Sequence, residues 1–342
     1  MERYIAIDSG KYATKVASYN VKEDVTRLQK FRTKISEGNF NDDALETSTL
    51  IVEYNKKIYK IGNGAIQEAE LNTSKASEIH RLCVLTAIAM NVSTDETDEV
   101  NVAVGIPVKE WENVEKRMEY KNYIMPDGLI EMKLMLKSEN QPVVKKFKIK
   151  SKHVYPESQG ALFIDDVITN STDTIGIVDI GNLNINCTSW TNRELDRQYS
   201  LTDELGGNIL INGLSQELSA AFSRVDENYV AKVLKQPKEN RKLIPNRPNS
   251  EIEEQSKTMI DEYLLNHVKM IKRRCDSKHW SLDFMKLVFI GGTSALLENE
   301  IREVFGQEVY IPVNPEYANV KGFLRVMCAK HIDKIISLEE GK

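Results

Sequence analysis

Apolar residues cluster early in the chain in runs too short for helices. "YIAID" (4–8) and "TKVASYN" (14–20) crowd apolar and β-branched side chains on both sides of a glycine, which predicts two strands joined through the turn at residues 9–13. "RLQKFRTKI" (27–35) reads as a third strand, and "STLIVEYNKKIYKIG" (48–62) as a hairpin turning at Asn55 to Lys57. The period then changes. "EIHRLCVLTAIAMN" (78–91) spaces its apolar residues like a helix and ends on an asparagine. "EVNVAVGIP" (99–107) is expected as a central strand, while "LIEMKLMLK" (129–137) and "VVKKFKIKSKHVY" (143–155) alternate like strands with one exposed face. A helix is expected over "ESQGALFIDDV" (157–167).

The opening pattern then returns. "TIGIVDIGNLNINCTSW" (174–190) again carries an apolar strand into Asp, one residue and Gly, and then into a second β-rich stretch. Asp8 and Asp179 lie 171 positions apart, half the chain, as an internal duplication would leave them. Further on, "KLVFIGGTSALLENEIREVF" (286–305) reads as a buried strand, a glycine pair, a Thr-Ser step suited to capping, and an amphipathic helix. The polar, proline-containing segment 231–257 is expected as a surface loop, and "DEYLLNHVKMIKRRC" (261–275) as a partly buried helix with cations near its end.

The chain's 342 residues suit two domains of ordinary size. Its 46 Lys and Arg against 51 Asp and Glu give a net charge of -5 with the signs interleaved, which argues against strong direct binding of nucleic acid through a broad basic field. Cys83, Cys187, Cys275 and Cys328 are scattered without a CxxC pair and read as buried thiols. No stretch of eighteen apolar residues occurs, and no basic-then-apolar leader opens the chain, so a soluble, cytoplasmic protein without membrane partners is expected. The histidines show no HExxH spacing, and no GxxxxGK[ST] string is present, which sets aside catalytic zinc and a P-loop.

A tight turn containing glycine aims successive backbone N–H groups into a concavity that holds anionic oxygens. The carboxylates of Asp8 and Asp179 would repel phosphate directly, so a cation is needed between them, and Mg²⁺ suits one or two carboxylates completed by nucleotide oxygens. Lys11 and Lys15 could add point charges there, although Lys15 reads equally well as a solvated strand residue. One such turn is ordinary; two framed alike point to a shared task.

These motifs, in this order, resemble those of the actin-like ATPase superfamily, which also includes Hsp70 chaperones and sugar kinases. "IDSGKYATK" resembles its first phosphate motif, "VDIGNLN" the second and "FIGGTSALL" the adenosine motif, and the resemblance spans residues 3–330. Finer features are similar to plasmid-segregation actins of the ParM type: "VYPESQGALF" (154–163), "ELGGNILINGL" (204–214) and "PEYANVKGF" (315–323). The second phosphate motif commonly continues with Gly and Thr, whereas this chain has Asn182, Leu183 and Asn184; asparagine tolerates the left-handed turn and offers an amide.

The resemblance implies an α/β, actin-like two-domain fold with duplicated ribonuclease H-like cores and a nucleotide cleft. Residues 1–160 plus 316–342 would form the first domain and 161–315 the second. It implies that Asp8 and Asp179 position Mg²⁺ through its waters, and that Ser9, Gly10, Lys11, Lys15, Gly181, Asn182 and Asn184 serve the phosphates. Gly206, Gly207, Asn208, Gly291, Gly292 and Thr293 would surround ribose and adenine, and Glu157 would orient the attacking water. Without the two Asp-Gly turns, Glu157 would read simply as an acid at a helix N-terminus. The implied activity is an ATPase coupled to filament assembly in plasmid DNA segregation, with GTP left open as a nucleotide. The implied partners are further copies of the chain and a ParR-type centromere-binding adaptor. A small-molecule kinase of the sugar-kinase type and a bacterial cell-shape actin remain as alternatives.

Overall fold

The computed structural model describes residues 2–40, 49–70, 73–94, 96–136, 141–332 and 336. Ser48 and Lys137, at the ends of two expected strands, lie outside the described residues. The chain divides into two compact units, residues 1–169 with 317–342, and residues 170–316.

The first unit opens with β1 (Glu2–Ser9), β2 (Ala13–Asn20), β3 (Val25–Arg32), β4 (Lys34–Glu37), β5 (Thr49–Tyr54), β6 (Lys57–Gly62) and the short β7 (Gln67–Glu68). The turn between β5 and β6 falls on Asn55 and Lys56, whose φ values of 52° and 65° match the twist of the flanking strands. Helix α1 (Glu78–Ala89) and strand β8 (Thr97–Ile106) follow, then α2 (Val108–Glu112), α3 (Val114–Ile124), β9 (Leu129–Leu136), β10 (Val143–Pro156) and α4 (Asp166–Thr169). The second unit holds β11 (Thr174–Ile180), β12 (Ile185–Thr191), β13 (Glu194–Asp203), α5 (Gly207–Phe222), α6 (Glu227–Leu234), α7 (Ser250–Ser277), β14 (Met285–Ile290), α8 (Gly292–Leu296) and α9 (Glu298–Phe305). Helix α10 (Ala318–Ile332), the last among the described residues, belongs to the first unit.

Among the described residues of the first unit, ten strands form one sheet in the order β3-β2-β1-β8-β10-β9-β5-β6-β4-β7. β1 to β3 are an antiparallel meander, and β8 runs parallel to both β1 and β10. Both faces of β1 are covered, which is why its sequence is continuously apolar rather than alternating. Ile5 and Ile7 join a core with Leu82, Leu85 and Ile88 of α1 and with Tyr120 and Ile124 of α3. Tyr4 and Ala6 face the other way, onto Val320, Phe323, Leu324 and Met327 of α10.

The expected helix over 157–167 is not one helix. A 3-10 turn covers Gln159–Phe163 and α4 is a separate four-residue piece. Ser158 has φ 73°, a left-handed conformation that no residue inside a right-handed helix adopts, and its N–H donates to Asn319 Oδ1 at 3.0 Å. The glycine that follows is required by close approach: a Cβ on Gly160 would lie 2.3 Å from the Asn319 carbonyl oxygen, and one on Gly322 would lie 1.8 Å from the Gly160 oxygen.

The second unit repeats the first unit's central motif in its sheet order, β13-β12-β11-β14, with an antiparallel meander and β14 parallel to β11. In each unit the aspartate faces the residue seven positions on, Asp8 opposite Lys15 and Asp179 opposite Asn186. The expected loop at 231–257 is shorter than the sequence suggested. α6 runs to Leu234, and α7 begins at Ser250, where the side chain of Asn249 accepts from the N–H groups of Glu251 and Ile252. The expected helix after the glycine pair breaks at Leu297, giving α8 and α9.

Candidate functional site

Ligands of sheets with parallel strands gather at the carboxyl ends of those strands. Asp8 stands at the end of β1, 6% exposed, and the turn after it is shaped by Gly10 and by two bonds from Thr33, whose hydroxyl donates to the Gly10 carbonyl at 2.6 Å and whose N–H donates to the Tyr12 carbonyl at 3.1 Å. Lys15, across the hairpin, brings its ammonium to 3.8 Å from Asp8 Oδ2. Glu157 follows directly on β10, and its N–H donates to the carbonyl of Ile106 at the end of β8 at 2.8 Å. The Asp8 and Glu157 carboxylates therefore stand at the ends of β1 and β10, either side of β8.

Lys75 ties these carboxylates together. Its Nζ lies 3.0 Å from Glu157 Oε1 and 4.0 Å from Asp8 Oδ1, and donates to the Ser9 carbonyl at 2.6 Å. Burial alone would push this ammonium's pKa down, but Glu157 and then Asp8 outweigh burial, so it lies above the ordinary lysine value. Lys11 is shifted the other way, by its own burial and then by the Lys75 charge, against the pull of Glu157 and Glu110. The Ser9 hydroxyl is committed inside the protein, 2.9 Å from His80 Nδ1 and 3.2 Å from Thr14 Oγ1. Burial, then repulsion from Lys75 and Lys11, holds the His80 pKa down to about 3, so its ring is neutral.

In the second unit the three glycine motifs converge. The N–H of Gly181 donates to the Asn184 carbonyl at 2.9 Å and closes the turn after β11. The N–H of Gly207 donates to the Gly181 carbonyl at 3.0 Å, and that of Asn208 to the Asn182 carbonyl at 2.7 Å, so the N-terminus of α5 docks on the turn. Thr293 Oγ1 donates to the same Gly181 carbonyl at 3.0 Å. No side chain would fit here: a Cβ on Gly206 would lie 2.6 Å from three backbone atoms of Asn182, Leu183 and Asn184, and one on Gly291 would lie 2.5 Å from Asp179 Oδ1. Gly291 has φ 91°, which favours glycine in its own right. Gly292 is open, with only the Cβ of Glu316 nearby, at 3.8 Å.

The sequence-expected residues thus form two clusters. Asp8, Ser9, Gly10, Lys11, Lys15 and Glu157 gather in the first unit, and Asp179, Gly181, Asn182, Asn184, Gly206, Gly207, Asn208, Gly291, Gly292 and Thr293 in the second.

Residues 6–160 match the family model described as the N-terminal domain of actin-like proteins. The chain also superposes over nearly its whole length on a solved structure titled as an Alp12 filament, with 22% identity, a TM-score of 0.73, and 96% of this chain and 99% of that one covered. The chain has the actin-like fold. It is similar as well to a Bacillus thuringiensis ParM with ATP, at 15% identity and a TM-score of 0.70, covering 97% of this actin-like chain and 99% of the ParM. An archaeal actin homologue, Ta0583, in complex with ADP matches at 14% identity and a TM-score of 0.70, covering 94% and 98%. At these identities the likenesses show the fold. No curated protein matches the sequence.

Sequence reasoning missed Lys75, His80, Thr14 and Thr33 in this actin-like chain. A single lysine in "LNTSKASEIH", just ahead of an apolar helix, is the only signal Lys75 leaves in the sequence. Among the described residues no helix is long and apolar enough to cross a membrane.

Proposed function

We propose that this actin-like chain binds ATP with Mg²⁺, assembles into filaments in that state, hydrolyses the nucleotide and thereby drives segregation of plasmid DNA in the cytoplasm. The observation that carries the reading is the same aspartate-and-glycine turn built twice, at equivalent places on β1 and β11. The residues fit a magnesium nucleotide. Asp8 and Asp179 supply oxygen donors of the kind Mg²⁺ takes, and a Cβ on Gly10 or Gly181 would crowd the Ala13 or Asn184 carbonyl oxygen at 2.9 and 3.0 Å.

In this reading Asp8 and Asp179 hold the ion through its waters, while backbone N–H groups at Gly10 and Gly181 take phosphate oxygens. Lys11 and Lys15 add positive charge on the first unit's side, and the clusters at Gly206–Asn208 and Gly291–Thr293 line ribose and adenine. Glu157 orients a water for in-line attack, a task of positioning more than of covalent chemistry. Mg²⁺, when bound, spreads the charge that develops on the transferring oxygens. The solved Alp12 filament and the ParM with ATP support assembly and nucleotide use. The partners are then further copies of the chain and, at filament ends, a ParR-type adaptor on centromere DNA.

Light scattering and sedimentation test the reading. ATP with Mg²⁺ is expected to give assembly above a threshold protein concentration, visible as filaments by electron microscopy, and Glu157→Ala to assemble normally but release phosphate slowly. Absence of assembly over a broad range of protein, salt and magnesium would refute the filament. Normal turnover in Glu157→Ala would remove that residue's role. Co-sedimentation with a ParR-type adaptor on its DNA, and loss of a test plasmid when the chain is deleted, check the cargo.

A further inference from the structure

A fully buried ammonium is costly unless it is paired, and Lys75 is 4% exposed. It is paired three ways, to Glu157, to Asp8 and to the Ser9 carbonyl, which is the last residue of β1 before the glycine turn. These partners come from two different strand ends, and Lys75 itself comes from the segment leading into α1. The Ser9 hydroxyl is gripped independently by His80 of the same helix. The segment leading into α1 thereby reaches the acid through Lys75, while the turn is held separately through His80 and Thr33.

We propose that Lys75 is a positioning residue that acts through Glu157. Its ammonium holds Oε1 of that carboxylate at 3.0 Å, which sets the side chain's rotamer and leaves Oε2 to accept a hydrogen bond from the attacking water. The same ammonium also bonds the Ser9 carbonyl, but the Gly10 turn keeps ties of its own, from Thr33 to the Gly10 and Tyr12 carbonyls and between His80 and the Ser9 hydroxyl, so Glu157 is the group that depends on Lys75. A misplacement of such a group by an ångström is enough to cost a hundredfold in rate, so an anchor for the acid has a direct kinetic consequence. The inference rests on the nucleotide reading above.

The test is a double-mutant cycle on the full chain, with single-turnover ATP hydrolysis and the Kd of ATP measured for each variant. Lys75→Met keeps the stem and removes the charge. It is expected to lower hydrolysis about a hundredfold while leaving the Kd of ATP within about threefold. In a Glu157→Gln background the same change should alter hydrolysis less than about twofold, because its target is already gone. Losses that multiply in the double variant would overturn the proposal, as would a Lys75→Met chain that hydrolyses ATP like wild type. Should Lys75→Met alone fail to fold, its two former carboxylate partners being left without their counter-charge, the comparison of Glu157→Gln with the double variant still decides between these outcomes. A wild-type chain that binds no ATP, or binds it without turnover, overturns the nucleotide reading and this inference together, and so is distinguished from failure of the Lys75 role alone.

Discussion

Replacing Arg241 by methionine should destabilise the second unit severely. Arg241 is 5% exposed and Glu300 is 1% exposed, and the guanidinium Nη1 lies 3.3 Å from Glu300 Oε1 and 3.5 Å from Oε2. Nη2 donates to the Leu296 carbonyl at 2.8 Å, and Nε to the Gln236 carbonyl at 3.2 Å. Arg241 thereby ties the loop after α6 to the start of α9. Methionine fills much of the volume but strands a buried carboxylate, for which breaking such a pair costs about 3–5 kcal/mol, and two carbonyl groups lose a partner besides. With a urea dependence of about 2 kcal/mol per molar, the unfolding midpoint should fall by about 1.5–2.5 M. Trp190 and Trp280 are both buried in the second unit, so their fluorescence in a Trp111→Phe background reports on that unit alone. Arg241→Met with Glu300→Leu removes both charges and should recover most of the loss. A single-variant cost below about 1 kcal/mol, or a double variant no better than the single, would refute the reasoning.

Gly322→Ala is expected to prevent α10 from seating on the 3-10 turn, since the added carbon would lie 1.8 Å from the Gly160 oxygen; limited proteolysis should then cut near residue 316, and an uncut variant would speak against the close approach. Gly207→Ala would place its Cβ 2.5 Å from Thr293 Oγ1 and displace the hydroxyl from the Gly181 carbonyl; titration with a fluorescent ATP analogue should show about tenfold weaker binding, with wild-type affinity the contrary result. His80 stays neutral in the folded chain, with its pKa down to about 3, through burial first and then Lys75 and Lys11, whereas the unfolded imidazole protonates near 6.5. As the pH falls below about 6.5 the unfolded chain gains a proton that the folded chain refuses, so His80 costs up to about 1.4 kcal/mol of stability per pH unit down to about pH 3. A His80→Gln variant should lose that slope in melting temperatures taken from pH 7 to 4.5, and parallel curves for the two proteins would contradict it.

The β1–β2 hairpin and its second copy were legible because β1 and β11 are each continuously apolar up to the aspartate and each turn is marked by a glycine at the same offset from it. α3 was not, because only Tyr120 and Ile124 are buried while Val114 and Met118 face outward, and two buried positions make no stripe. Strand β13 was hidden by its polarity, since it lies at the edge of its sheet with no fully buried residue. The start of the helix read over 157–167 failed at Ser158, whose left-handed backbone donates to Asn319, more than 160 positions away in the chain. The glycine motifs announced the site's backbone, which is a local matter of turn chemistry. Lys75 did not announce itself: its environment is assembled from Asp8, Ser9 and Glu157, and burial created by distant segments leaves no mark on a lysine's immediate neighbours.

The face of β1 that carries Tyr4 and Ala6 is covered by Phe323, Leu324 and Met327, so on the ribosome this strand waits for a helix that follows the whole of the second unit. The second unit is continuous in sequence and can close once it has been made, whereas the first must stay open until α10 has followed the whole of the second. Nascent chains would therefore expose an apolar strand surface until α10 arrives, and no copy completes its first unit before its second has been made.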